Sequence, residues 1–329
     1  MLKKFFSSAF AALLLLSSCQ RSVPAASCLP CPTTEPCVEQ KCFHKYGNEV
    51  QPDYWVDCGR NGQLITTQRN GVVITQSYAN GMLNGQSTFS YPHSEQAERV
   101  EMYENDQMVS QTFYQQSGMP INSIEYSSPD ISTETIWYEN GNPKSTEKYE
   151  RGMLVSGEYY DLQNNRDAWV SDGYGERNSR DSLGSLVSLD TFRNGELTSK
   201  VIQYPNGTPK EVIAIANGQI NGERKTYYPG GEPMSIEFWN NGQQHGLTTI
   251  YQNGEKYAEV PYNNGRKHGV ERRYRDGSNV TQEINWNNDQ MHGQSNTYYG
   301  DSVQTDWYYN GRLSTRSNFE SFAVPKKGS

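Results

Sequence analysis

The sequence predicts an all-β fold: an elongated antiparallel β-meander of repeated hairpins, preceded by a lipoprotein signal and a Cys/Pro-rich tether. Three observations favour this class. One block recurs along the chain, two turn signals occur in each block, and side chains between the turns alternate between apolar and polar. The pattern is clearest across residues 216–286, where the block is repeated three times in succession.

Glycine spacing defines the length of the repeat. The same glycine of successive blocks lies at Gly222, Gly246, Gly269 and Gly293, at intervals of 24, 23 and 24 residues. Regular self-similarity of this length is typical of repeat proteins, in which each unit packs mainly on its neighbours. We therefore expect one structural unit for each block.

Two turn signals in each block predict that the unit is a hairpin. The first signal is Asn-Gly, and the second lies about half a repeat later. Asn-Gly and Asp-Gly tolerate the positive φ angles that tight hairpin turns require. The pairs across the three clearest blocks are Asn217-Gly218, Gly230-Gly231, Asn241-Gly242, Asn253-Gly254, Asn264-Gly265 and Asp276-Gly277.

Residues between the turns alternate as in a β-strand. Val280, Ile284 and Trp286 fall on one face, whereas Thr281 and Glu283 fall on the other. An aromatic residue ends most strands, and we expect stacked rings from adjacent strands to form the core, at roughly 0.2 to 1 kcal/mol per pair. These aromatic residues are Tyr228, Trp239, Tyr251, Tyr262, Tyr274, Trp286 and Tyr299.

The repeat signature (Y/W)-x-N-G-x-x-x-G-x-x-x-x-Y resembles the bacterial MORN-variant repeat. That family occurs in lipoproteins and in antitoxin-type proteins, and the resemblance extends over most of residues 54–311. It implies a long β-meander and does not imply an enzyme. The eukaryotic MORN pattern has more glycines per unit, so a lipid-binding role is not carried over.

Residues 1–18 have the pattern of a lipoprotein signal peptide. Lys3 and Lys4 precede an apolar run that is too short to span a bilayer of about 30 Å. The sequence before Cys19 resembles a lipobox, which implies lipidation of Cys19; an ordinary secretory signal is the alternative. Gln20 follows the cysteine, which favours an outer-membrane lipid anchor facing the periplasm.

The charge of the chain limits its partners. The whole sequence has 29 basic and 37 acidic residues, and removal of Lys3 and Lys4 with the signal leaves a net charge of −10. Nucleic acids and anionic headgroups require basic surfaces, so we expect no nucleic-acid partner. A basic or membrane-associated protein is compatible with this charge.

Residues 19–46 are interpreted as a lipidated, Cys/Pro-rich tether. Their cysteine spacing resembles part of a zinc site, but an oxidising compartment favours structural disulfides. Five cysteines are left after lipidation, so one of them is either free or bonded to another molecule. The disulfide candidates are Cys28, Cys31, Cys37, Cys42 and Cys58.

Residues 47–312 are predicted to form the repeat domain, and residues 313–329 a disordered tail. Within the domain, residues 164–189 interrupt the rhythm. We interpret them as an irregular insertion that either binds a partner or is a plain solvated loop. The partner-binding candidates in it are Asp172, Glu176, Arg177, Arg180 and Asp181.

No pattern in the sequence predicts catalysis, a metal or a cofactor. His245, His268 and His292 share one repeat position, but successive copies lie two strands apart, about 9 to 10 Å. Three such side chains cannot reach one zinc ion, so we interpret them as turn residues. Acidic residues at repeat spacing are expected on the solvated face, and no hydrolase, kinase or nucleotide-binding motif occurs.

Two classes of function fit these observations. The first is an envelope-anchored periplasmic immunity protein, or antitoxin, that binds a secreted toxin or effector, for which a lipase is one candidate, and neutralises it by steric occlusion. The second is a structural or assembly lipoprotein of the outer membrane. The extended sheet that the repeats predict offers the area of a protein interface, about 1,200 to 2,000 Å² in total.

Overall fold

The computed structural model describes residues 34–323. These residues form a single open antiparallel sheet of 27 strands with two short helices, which confirms the predicted β-meander of hairpins. The predicted signal peptide, Cys19, Cys28 and Cys31 lie outside the described residues. Neither helix in the described part has the length and hydrophobicity needed to cross a membrane.

The strands follow one another in chain order. They are β1 Cys37–His44, β2 Glu49–Val50, β3 Gly62–Gln68, β4 Val73–Ala79, β5 Met82–Ser90, β6 Ala97–Glu104, β7 Gln107–Tyr114, β8 Pro120–Ser128, β9 Ile131–Trp137, β10 Pro143–Glu150, β11 Met153–Tyr160, β12 Arg166–Ser171, β13 Tyr174–Arg180, β14 Leu186–Arg193, β15 Glu196–Gln203, β16 Pro209–Ala216, β17 Gln219–Tyr227, β18 Pro233–Asn240, β19 Gln243–Gln244, β20 Gly246–Gln252, β21 Glu255–Asn263, β22 Arg266–Lys267, β23 Gly269–Arg275, β24 Asn279–Asn287, β25 Gln290–Tyr299, β26 Ser302–Tyr309 and β27 Arg312–Ser314. The helices are α1 Pro52–Asp57 and α2 Arg316–Ala323.

Each strand pairs with the next along the chain, with three exceptions. Strand β1 lies between β2 and β3. Strand β18 pairs with both β19 and β20, and strand β21 pairs with both β22 and β23, which are successive segments of the chain. The two segments are halves of one strand that a bulge divides. The sheet is therefore built from local pairings, as expected for a repeat protein.

Asn-Gly turns join the hairpins along one side of the sheet. Asn217 and Gly218 have φ angles of 53° and 70°, so both central residues are left-handed, as a type I′ turn requires. The amide of Gly242 donates to the carbonyl of Ile220 at 2.9 Å, and the amide of Gly265 donates to that of Gln244 at 2.8 Å. Each turn is thus bound to the preceding repeat.

The second glycine of each repeat lies in a β-bulge opposite an aromatic residue. Gly222 pairs with Trp239, and Gly269 pairs with Trp286. Gly269 has a φ of +113°, and a Cβ there would lie 3.1 Å from Cγ of Pro261. Glycine is needed at this position because a side chain would be both strained and crowded.

The predicted core of stacked aromatic rings is wrong for the central repeats. Within residues 34–323, ring-to-ring contacts occur only near the two ends, as between Trp55 and Tyr78. Between the ends, Trp239 and Trp286 face glycines across the strand pair, and their indole nitrogens donate to carboxylates. The bulges separate successive rings, which explains the difference.

The amino-terminal tether is shorter than predicted. Residues 37–44 form β1, paired with β3 through seven residue pairs, instead of a spacer. Helix α1 places Trp55, which is buried, against Cys42 and Leu64. Cys37 is disulfide-bonded, whereas Cys42 and Cys58 are free thiols, so these two candidates are not paired in this structure.

The predicted disordered tail is also partly wrong. Residues 312–314 form β27, and residues 316–323 form α2. The ring of Phe319 lies 5.2 Å from those of His292 and Trp307, and the ring of Phe322 lies 5.2 Å from that of Tyr309. This helix packs its aromatic side chains on the hairpin of β25 and β26.

Residues 164–189 do not form an insertion, and this prediction is corrected. They contain β12, β13 and the start of β14, all in the ladder of the sheet. Asp172 with Gly173 makes the left-handed turn that Asn-Gly makes elsewhere. Asp181 supports the next loop by accepting hydrogen bonds from the amides of Leu183 and Ser185, so aspartates replace the residues that mark the other repeats.

Candidate binding surface

The two faces of the sheet differ in burial. Strand β14 places Ser188, Asp190 and Phe192 on one face, and all three side chains are buried. We call this face of the sheet the ladder face. It includes the residues of the other strands whose side chains point to the same side as these three. The other side of the sheet is the opposite face.

An ion-pair network fills the ladder face between β10 and β15. Asp190, which has no exposed surface, accepts from Arg177 at 2.8 Å and pairs with Lys200 at 3.2 Å. Arg177 also reaches Glu147 at 3.3 Å, although Glu147 lies three strands away. Strands β12 and β13 share only two residue pairs, and the local distortion brings the two side chains together.

Tyrosines complete this network. The hydroxyls of Tyr149 and Tyr159 donate to Glu147 at 2.5 and 2.7 Å. Burial and the adjacent Glu147 carboxylate raise the pKa of both hydroxyls. Burial alone would lower the pKa of Arg177, but its contacts with Asp190 and Glu147 outweigh this effect and raise it. Tyr149 and Tyr159 therefore stay protonated, and Arg177 stays charged, around neutral pH.

Similar clusters recur in the regular repeats. Arg224 contacts Glu211 at 2.9 Å and Glu237 at 3.0 Å, and the indole of Trp239 donates to Glu237 at 2.9 Å. The expectation that acidic residues at repeat spacing lie on the solvated face is wrong for several of them. Glu271 is only 2% exposed. The bulge before each such strand decides which side chains point to the ladder face, and the sequence alternation alone does not reveal it.

The five predicted partner-binding residues do not form one surface. Arg177 is held in the ladder-face network, and Glu176, the next residue, lies on the opposite face. Arg180 pairs with Asp167, Asp181 supports a loop, and Asp172 lies in a turn. Only Glu176 and Asp172 are exposed, so the structure does not bring these residues together as a site.

The three histidines lie beside the bulges and not in the hairpin turns. The amide of His245 donates to the carbonyl of Phe238, and that of His268 donates to Pro261. His292 contacts Asn310 and the ring of Phe319. In the described part of the chain, no three His, Cys, Asp or Glu side chains converge as a metal site.

Large apolar side chains are exposed on the opposite face. Trp169 is 59% exposed, Phe238 44% and Leu247 42%. Each lies on a regular strand, one position away from a residue of the ladder face. Exposed apolar side chains on a rigid sheet are typical of surfaces that bind proteins.

A hollow of about 160 Å³ lies on the ladder face across β7, β8 and β9. Its walls include Phe113, Ile124 and Ile136, and the carboxylate of Glu134 borders it. Partial desolvation by its neighbours, and then the Glu147 carboxylate on the next strand, raise the pKa of Glu134, although this residue is exposed at the rim of the hollow. The sequence analysis did not select these residues. The sequence did contain an indication of this site: Glu134 and Ile136 lie two residues apart, and so on one face, in a strand that has no basic residue.

Comparisons with known proteins do not identify the chain. No protein-family model matches it, and no curated protein matches it. A mutant of S. aureus TarM is 10% identical, with a TM-score of 0.18 over 34% of this chain and 21% of that chain. A porin-like protein from Bacteroides uniformis is 11% identical, with a TM-score of 0.16 over 83% of this chain and 94% of that chain.

BamB from Moraxella catarrhalis is 9% identical, with a TM-score of 0.14 over 76% of this chain and 82% of that chain. This chain thus spans about a fifth of the TarM chain that it matches. Scores of this size assign neither a shared fold nor a shared activity.

Proposed function

We propose that this protein is an envelope-anchored lipoprotein of the outer membrane, facing the periplasm, that binds another protein. Its most specific form is an immunity protein that neutralises a toxic effector by steric occlusion. The lipobox-like sequence before Cys19 supports the anchor. The resemblance of the repeats to the MORN-variant family of lipoproteins and antitoxins supports the immunity role.

The observation that carries the binding proposal is the open sheet. Within residues 34–323, all strands belong to one sheet, and large apolar side chains remain exposed on both faces, as at Phe238 and Ile136. A standard protein interface buries about 800 Å² on each partner, which a few adjacent hairpins supply. The buried carboxylates are held in ion pairs and contribute rigidity.

Occlusion is the mode of neutralisation that this geometry favours. The open sheet of residues 34–323 presents its side chains over a broad area, and such an area blocks a catalytic opening or a membrane-binding surface without chemistry of its own. The net charge of −10 expected for the mature chain favours a basic surface on the partner.

The test is protection in cells. Deletion of the gene is expected to sensitise cells to attack by siblings and to periplasmic production of any toxic effector that a neighbouring gene encodes. Expression of the full chain should restore protection, and a Cys19→Ser variant should protect less because it is not retained at the membrane. Full resistance of the deletion strain in both assays would refute the immunity role.

A further inference from the structure

Cations on the ladder face recur in one arrangement. In several places in the described part of the chain, a basic side chain lies over an aromatic ring and also pairs with a carboxylate, and four of these sets are compared below. The four sets are Arg99 with Phe89 and Glu101, Arg177 with Phe192 and Asp190, Arg224 with Trp239 and Glu237, and Lys267 with Trp286 and Glu271. The ring and the carboxylate together stabilise the positive charge of the basic side chain, which the sheet partly removes from water.

In two of these sets, the register of the strands places the cation directly across from the carboxylate. Arg177 is directly opposite Asp190, and Arg224 is directly opposite Glu237, each on the preceding strand. In the remaining two sets, a cation two residues away on the same strand, Arg99 or Arg273, pairs with the carboxylate. Other ladder-face carboxylates are reached from elsewhere as well: Lys200 on the following strand pairs with Asp190, and Arg177 pairs with Glu147 from three strands away.

At Glu134 both positions lack a cation. Ile124 is directly opposite on the preceding strand, and Ile136 is two residues along the same strand. On the following strand the register places Glu147, another carboxylate, whose cation is Arg177. No basic side chain among residues 34–323 pairs with Glu134, and the space beside it is the hollow.

The walls of the hollow match the stem of a basic side chain. Phe113 supplies an aromatic ring, and Ile124 and Ile136 supply aliphatic surface. The guanidinium carbon of Arg99 lies 5.9 Å from the centroid of the Phe113 ring. The hollow is several times larger than the volume of one water molecule, about 30 Å³. Long basic side chains bury an apolar stem and pair their charged end in this manner.

We propose that the hollow binds an arginine or lysine side chain of the protein partner, with its stem against Phe113, Ile124 and Ile136 and its charged end on Glu134. The inserted cation takes the place that the chain's own arginines fill in the other repeats. This inference rests on the proposed protein-binding function and places one contact on the ladder face between β7 and β9. The acidic charge of the mature chain favours the same class of partner.

The test uses N-butylguanidinium as the probe for an arginine side chain. The isoleucine methyl groups of the full mature chain, with Cys19 replaced by alanine, are isotopically labelled and observed by NMR during titration. We expect saturable shifts at the Ile124 and Ile136 methyls. N-butylurea, which has the same shape without the charge, should bind about tenfold more weakly, since charge-assisted hydrogen bonds are roughly twice as strong as neutral ones.

Two variants and a control locate the effect. Glu134→Gln removes the charge with little change in shape and should weaken probe binding about tenfold. Ile124→Arg places a cation at the position of Arg177 and Arg224, fills the hollow from within and should abolish the Ile136 shifts. Phe238→Ser, on the opposite face, should leave probe binding unchanged.

Equal binding of the charged and neutral probes, or unchanged binding in Glu134→Gln, would overturn the inference. If Ile124→Arg does not fold, as judged by thermal melting, the Glu134→Gln comparison still decides. These outcomes are independent of cell protection. A deletion strain that stays resistant refutes the immunity role whatever the probe does, and a hollow that ignores the probe refutes the cation site while the immunity role stands.

Discussion

Replacement of Glu271 by glutamine tests whether buried ion pairs stabilise the sheet. The Glu271 carboxylate accepts from Arg273 at 2.8 Å, from Lys267 at 3.1 Å and from the indole of Trp286 at 2.9 Å. Lys267 also lies 4.6 Å from the Trp286 ring centroid. Glutamine keeps the shape and one acceptor oxygen, but it removes the negative charge that these donors share.

The expected loss follows from the number and exposure of the contacts. Breaking a buried pair by removing one partner costs about 3 to 5 kcal/mol. Here the side chains of Lys267 and Arg273 are 29% and 39% exposed, so water recovers part of the interaction. We therefore expect Glu271→Gln to reduce the free energy of unfolding by about 2 kcal/mol, which corresponds to a fall in Tm of roughly 4 to 8 °C.

The direction of the Glu271 pKa shift determines how the stability difference between wild type and variant changes with pH. Burial alone would raise the pKa of Glu271, but hydrogen bonds from Arg273 and Lys267 outweigh it and hold this pKa below the ordinary value of 4.5. The stabilisation is therefore complete above pH 4.5 and is lost as pH falls through the lower pKa of the folded state. The difference between wild type and variant should be largest at pH 7 and should shrink in acid.

Urea unfolding followed by tryptophan fluorescence measures this difference, because the Trp286 indole is bonded to the altered group. Glu176→Gln, at an exposed position of the opposite face, is the matched control and should change the midpoint little. A Glu271→Gln variant as stable as wild type at pH 7 would refute the stabilising role of the cluster. A difference that grows on acidification would refute the assigned direction of the pKa shift.

Three further predictions concern the hollow, a bulge and the carboxy-terminal helix. Glu134→Gln should raise stability at pH 7 by less than about 0.5 kcal/mol, since Glu134 faces Glu147. The gain should fade as pH falls from the raised pKa of Glu134 to the ordinary value of 4.5, and a loss of stability at pH 7 in urea titrations would contradict this. Gly269→Ala should lower the free energy of unfolding by about 1 to 3 kcal/mol, as measured by thermal melting, because the φ angle at this position is +113°. An unchanged stability would mean that the bulge adapts to the side chain. Phe319→Ala should release α2 and speed amide hydrogen exchange in β26, whereas unchanged exchange would show that the helix does not protect this strand.

The sequence was informative where backbone geometry depends on a single residue. Asn217-Gly218 adopts the left-handed turn that the dipeptide predicts, and the repeated spacing predicts hairpins that pair in chain order. Both follow from local chemistry, since few residue types tolerate positive φ. The same rule applies to Asp172-Gly173, although the sequence analysis interpreted that region as an insertion.

The composition of the ladder face was not predictable in the same way. Asp190 and Glu271 are buried, yet nothing in their alternation distinguishes them from solvated acids. A bulge shifts the register by a residue and exchanges the two faces of the strand that follows. Contacts such as Arg177 with Glu147 join residues 30 positions apart, and only the folded sheet brings them together.

The sequence by itself determined the repeat, the hairpin turns and the order of the strands, because each of these depends on residues close together in the chain. Only the tertiary structure decided which carboxylates are buried, that β1 and α2 belong to the folded part of the chain, and that Glu134 borders a hollow without a cation. These features depend on register across several strands, and that register is set by the bulges and by packing between neighbouring repeats.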